Sequence, residues 1–141
     1  KKMRINSSKI VLITMLWISL ASCGQKQNEK SSDQDSASKI SLISPEDLNK
    51  VNKDILLVDV RTPGEYASGH VENSVNIDFR ASNFKDLIGQ LDKNQDVYVY
   101  CKVGGRSGSA AKMMEDMGFN KIYDLKGGIM QWEKDGFKKV K

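Results

Sequence analysis

The sequence predicts an α/β domain built on a mostly parallel sheet. Short apolar, strand-like runs alternate with helix-forming segments over residues 39–141. Ile55–Val60 (ILLVDV) is apolar almost throughout at strand length, the pattern of a central parallel strand covered on both faces. Val97–Tyr100 (VYVY) runs into Cys101, then a glycine-rich loop, then a helix, so the loop falls at the carboxyl edge of the sheet.

Taken in order, Lys39–Ile43 (KISLI) alternates and reads as an edge strand. Ser44-Pro45-Glu46-Asp47 starts a helix that runs to about Val51, with a serine cap, a first-turn proline and acids near the positive end of the dipole. After Ile55–Val60, Thr62–Ala67 forms one or two helical turns, capped by Thr62 with Pro63 at the first position. Val75–Ile77 is a short strand. Asn83–Leu91 places Phe84, Leu87, Ile88 and Leu91 at helical spacing. Ser107–Met117 is a helix stopped by Gly118. Lys121–Leu125 is the last strand and Gly128–Lys134 the last helix, giving five strands in all.

The chain has 141 residues and a formal charge of +4, but the surplus is local. Lys1, Lys2, Arg4 and Lys9 meet no acid before Cys23, whereas from Cys23 onward bases and acids balance. The folded part therefore has no global electrostatic reason to seek nucleic acid. Ile10–Ala21 (IVLITMLWISLA) is short for a membrane span, which needs roughly 20 apolar residues. A basic start, a short apolar core and small residues describe an export signal; an uncleaved signal anchor is the alternative. Leu20-Ala21-Ser22-Cys23 resembles the lipobox of bacterial lipoproteins. The resemblance implies that residues 1–22 are a removed signal peptide and that Cys23 is lipidated. The chain is then membrane-anchored on the extracytoplasmic side of a bacterial envelope, periplasmic or surface-facing. Gly24 in place of aspartate leaves an outer membrane open. Residues 23–38 form the lipidated end and a polar tether of about 20 Å average reach, and residues 39–141 the folded domain.

The loop after Cys101 carries the chemistry. A helix opening near Ser107 aims its free N–H groups and dipole at the loop. Gly104 and Gly105 let successive amides face inward. Arg106 and Lys102 add positive charge. Each feature favours a thiolate and depresses the Cys101 pKa.

At these residues the chain resembles a single rhodanese domain, the sulfurtransferase fold, over residues 40–137. "LLVDVRTPGEYASGHVENSVNI" is similar to the family's first signature, with Asp59, Arg61, Glu65, Gly69, His70 and Asn76 in place. "VYVYCKVGGRS" resembles its active-site strand and loop. "GFNKIYDLKGGIMQW" resembles its closing segment, with Leu125, Gly127, Gly128 and Trp132. One departure is Glu72-Asn73-Ser74, where the family has a Gly-Ala-like pair.

The resemblance implies a three-layer domain, a five-stranded sheet flanked by helices. It implies a sulfurtransferase that takes a sulfane sulfur from an anionic donor, thiosulfate or a persulfide. Cys101 becomes a persulfide and passes the sulfur to a thiol or cyanide. The amides of Lys102, Val103, Gly104, Gly105, Arg106 and Ser107 cradle it, and Arg106 helps hold the donor. No metal or organic cofactor is implied, and a protein sulfur acceptor is open. Dual-specificity phosphatases of the same fold space cysteine and arginine by five residues, against four between Cys101 and Arg106. The shorter loop favours sulfur transfer over a phosphatase or arsenate reductase. A rhodanese-like module that presents a persulfide to a partner is the alternative.

Other residues read more plainly. Asp59 and Arg61 suit an ion pair pinning loops better than pocket lining. His70 suits a hydrogen-bonding strut better than acid/base catalysis. Met130 and Trp132 read as core, with Trp132 a candidate pocket wall, and Lys138, Lys139 and Lys141 as a solvated tail.

Overall fold

The computed structural model describes residues 38–51 and 54–141. Residues 1–22, Cys23 and the tether up to residue 37 lie outside the described residues, so the signal, lipidation and most of the tether are not seen. Ser38, placed in the tether from sequence, is held to the domain: its hydroxyl and the Lys39 N–H both donate to Glu115 Oε1, at 3.2 and 2.9 Å.

The chain alternates β1 (Ile40–Ile43), α1 (Pro45–Lys50), β2 (Leu56–Asp59), α2 (Pro63–Ala67), β3 (Val75–Asn76), α3 (Phe84–Ile88), β4 (Val97–Tyr100), α4 (Gly105–Asp116), β5 (Ile122–Leu125) and α5 (Gly128–Lys134). The strands form one sheet in the order β1-β5-β4-β2-β3, and every pairing is parallel. The expected α/β domain with a five-stranded sheet is therefore present. β4 lies at its centre and is buried along its whole length.

Side chains alternate across each strand, so the sheet has two apolar faces. Val58, Val97, Val99 and Ile122 pack with Phe84 and Ile88 of α3 and Ala110, Ala111 and Met114 of α4. Leu57, Tyr98, Tyr100 and Leu125 pack on the other face with Leu48 of α1 and Ile129 and Trp132 of α5. Helix starts follow local chemistry. Ser44 Oγ accepts the Asp47 N–H at 3.1 Å, and Thr62 and Glu65 close a reciprocal capping box at α2. The departing Glu72-Asn73-Ser74 segment is a turn: Ser74 N–H donates to Val71 O at 3.1 Å, and Asn73 takes a left-handed φ of 64°. Asparagine tolerates that conformation better than most residues.

Three expectations need correction. α4 begins at Gly105, not Ser107, because Gly104 at φ 106° already turns the chain into the helix. α3 ends at Ile88 rather than Leu91, with Gly89 as its C-cap. Met130 is 51% exposed rather than core. Lys138, Lys139 and Lys141 are exposed, as expected, while the backbone beside them is docked: Val140 bridges His70 through two 2.9 Å backbone bonds, and Trp132 Nε1 donates to Lys138 O at 2.9 Å. Among the described residues no helix is long and apolar enough to cross a membrane.

Candidate active site

Cys101 follows β4 directly and is 1% exposed. The chain leaves β4 through Lys102 and Val103, both exposed, and turns at Gly104 into α4. That turn needs φ 106°, which glycine adopts without strain. With glycine as N-cap, no side chain caps the first helical amides, and of these the Ser107 N–H bears on the sulfur. Gly104 N–H donates to Cys101 Sγ at 3.2 Å and Ser107 Oγ approaches it at 3.5 Å. Burial pushes the thiol up. The Ser107 hydroxyl and the backbone N–H groups of Ser107, Gly104 and Val103 outweigh it and hold the thiol below its ordinary value. Gly105 has an ordinary helical φ, so only Gly104 of the pair is needed for the turn.

The loop is gripped from α5. Ile129 N–H donates to Cys101 O at 2.9 Å and Met130 N–H to Lys102 O at 3.1 Å. The approach is close because Gly128, at φ 60°, has no side chain to hold the two backbones apart.

Arg106 is not a free cation. Nη1 and Nη2 donate to the two Glu65 carboxylate oxygens at 2.7 and 2.9 Å. Glu65 Oε2 also accepts from Thr62 N–H and Oγ1, each at 3.0 Å. The Arg106 guanidinium is the chief reason that the Glu65 carboxyl is lowered to about 2. Arg106 therefore ties α4 to α2, and its charge is offset by the Glu65 carboxylate.

Asp59 and Arg61 pair with each other: Arg61 Nη2 and Nε reach Asp59 Oδ2 at 2.6 and 2.9 Å, and Nη2 also donates to Gly69 O at 2.9 Å. Asp59 shares a sheet face with its register partner Tyr100, whereas Cys101 packs with the cluster under α3 and α4. His70 stacks on Tyr66, with centroids 3.7 Å apart, and its Nδ1 lies 3.2 Å from Tyr66 O. Trp132 packs in the cluster on the face away from Cys101, so it does not wall the thiol. No cluster of three or more metal-binding side chains occurs among the described residues.

Sequence reasoning overlooked Asp124. It shares a face of β5 with Ile122, which puts a carboxylate where the strand pattern calls for a core residue, and it is only 5% exposed. That break in alternation was the available signal.

The Rhodanese-like domain family matches residues 44–135. A sulfurtransferase of Allochromatium vinosum is 32% identical over 84 residues, covering 60% of this chain and 77% of its own. A thiosulfate sulfurtransferase of Stutzerimonas stutzeri is 33% identical over 91 residues, 64% of this chain and 82% of its own. Other curated relatives are longer: the chain spans 33% of the tRNA uridine(34) hydroxylase of Pelagibacter ubique. The crystal structure of a rhodanese-related protein from Thermoplasma volcanium superposes with a TM-score of 0.63 at 33% identity, covering 70% of this chain and 95% of that one.

Proposed function

The chain belongs to the rhodanese-like domain family, and from that premise we propose that it is a sulfurtransferase with Cys101 as sulfur carrier. The observation that carries the reading is the Cys101 sulfur held against the Gly104 amide and the Ser107 hydroxyl at the start of α4. The Cys101 thiolate attacks the outer sulfur of an anionic donor, thiosulfate or a persulfide. A new S–S bond forms as the donor's S–S bond breaks, and sulfite or a thiolate leaves with the electron pair. The loop amides and the α4 dipole stabilise the negative charge. A thiol or cyanide then attacks the outer sulfur and returns Cys101 as thiolate. Both displacements balance with sulfur chemistry alone.

The test is incubation of the full chain with thiosulfate and cyanide beside Cys101→Ala. Thiocyanate release and one added sulfur on the Cys101 peptide are expected, and both vanish in the variant. If a panel of donors never adds sulfur to Cys101, the proposal is wrong.

Exposed Val103 (62%) and Met130 (51%) border the loop and favour an acceptor thiol carried by a protein. Partner capture that survives Cys101→Ala would make docking, rather than turnover, the main role. The lipobox-like Leu20-Ala21-Ser22-Cys23 supports lipid anchorage at the extracytoplasmic face of a bacterial envelope. Acyl-chain labelling that persists in Cys23→Ser would exclude it.

A further inference from the structure

Asp124 lies beside Val99 in register on the sheet face covered by α4. It is 5% exposed, and its Oδ1 has no hydrogen-bond partner among the described residues. A buried carboxyl oxygen left unpaired is costly, and such groups in native folds call for an explanation. The carboxyl faces the first turn of α4: a Cβ at Gly108 would sit 3.6 Å from Asp124 Oδ2, and the Ser107 hydroxyl bears on the carboxyl. Ser107 Oγ has one proton and several takers. The hydroxyl reaches Gly104 O at 3.1 Å and Cys101 Sγ at 3.5 Å, while the neighbouring Asp124 carboxyl feels its influence and keeps Oδ1 unpaired.

We propose that Asp124 is a positioning residue that competes with Cys101 for the Ser107 hydroxyl and so sets the acidity of the sulfur carrier. When Cys101 is a thiolate, the hydroxyl turns to Sγ. When Sγ carries a transferred sulfur, the charge moves to the outer sulfur, and the hydroxyl turns to Asp124. The switch is a hydrogen-bond exchange, with no net proton transfer.

The surrounding charges leave this pair to set the balance. Arg106 bears on Cys101 but is bound to Glu65. Asp59 is bound to Arg61 on the opposite face. The first turn of α4 has no acid, Lys102 is exposed on the loop, and β1 offers only Leu42 in register with Asp124. Burial pushes the Asp124 carboxyl up and Ser107 draws it down.

The inference rests on Cys101 being the sulfur carrier, but its test needs no donor. The rate of Cys101 alkylation by iodoacetamide is followed against pH in the full chain and read on the Cys101 peptide by mass spectrometry, which keeps Cys23 out of the signal. Wild type, Asp124→Asn, Ser107→Ala and the double variant are compared, with thermal melts to verify folding. Asp124→Asn is expected to lower the midpoint by about one pH unit, roughly ten-fold faster alkylation below it. Ser107→Ala raises the midpoint, and in its background Asp124→Asn loses most of its effect. If Asp124→Asn does not fold, Asp124→Ser replaces it with the same expectation. An unchanged or raised midpoint, or an equal shift with and without Ser107, overturns the proposal. Failure of sulfur transfer with these shifts intact would instead overturn the proposed activity.

Discussion

Replacing Gly128 with alanine tests how the loop around Cys101 is held. An added Cβ would stand 2.5 Å from Cys101 O and 2.7 Å from both Lys102 C and O, whereas ordinary contact begins near 3.4 Å. These neighbours are backbone atoms, so relief requires α5 and the loop to part by about 1 Å. The left-handed φ of 60° adds about 1–2 kcal/mol for any residue with a Cβ. Parting the two segments weakens the Ile129 and Met130 bonds to the loop carbonyls, each worth about 1 kcal/mol. The sum is about 3–4 kcal/mol, a fall in Tm of roughly 15 °C for a domain of this size. Gly118→Ala is the control. Gly118 has φ 91°, and a Cβ added there would meet no atom within 4 Å, so it carries the conformational cost without the clash. Urea and thermal melts read stability, and iodoacetamide reactivity below the melt reads the sulfur. Gly128→Ala is expected to lose far more stability than Gly118→Ala and to slow Cys101. Equal losses with wild-type reactivity would refute the claim that α5 positions the thiol.

Two further outcomes follow from the ion pairs. Glu65→Gln removes the Arg106 partner. The Arg106 and Glu65 side chains are 18% and 32% exposed, so after solvent screening the loss is about 1 kcal/mol by urea melt at pH 7. Because the folded Glu65 pKa is depressed to about 2, its contribution is complete above the ordinary value near 4.5 and fades as pH falls toward 2. The wild-type and Glu65→Gln stabilities should therefore converge over that window, and a constant gap would contradict the pairing. Asp59→Asn leaves the buried Arg61 guanidinium uncompensated and should cost about 3–5 kcal/mol; a loss below about 1 kcal/mol would show that Gly69 O and the Tyr100 ring suffice.

The fold was legible because its signals are local. VYVY, ILLVDV, Ser44-Pro45 and Thr62-Pro63 each carry strand or cap chemistry within a few residues, and the strands and caps formed there. The start of α4 was less legible because the signal lay in one backbone angle: a glycine at left-handed φ looks like loop in sequence but here serves as the N-cap. The partner of Arg106 lies 41 residues away at Glu65, and no spacing rule joins them. Cys101 itself could be singled out, because a thiol between a central strand and a glycine turn has few other uses. The lysines of the tail are solvated as read, but the docking of its backbone was not legible because it depends on Trp132 and His70 rather than on those lysines.

The early start of α4 gives the Cys101–Arg106 spacing a physical meaning. Arg106 is already the second residue of the helix, and its guanidinium is turned to Glu65 on α2. The loop proper is then only Lys102 to Gly104 between β4 and α4. So short a segment brings its amides to one atom, the Cys101 sulfur, and its stabilisation is of short range. The cationic contribution that a free arginine would extend to a larger anion is held instead by a carboxylate that also caps α2. A site arranged this way stabilises charge on or next to the sulfur more than charge several ångströms away. That distribution suits a thiolate and its persulfide, in which a single sulfur is added at the point the amides already face.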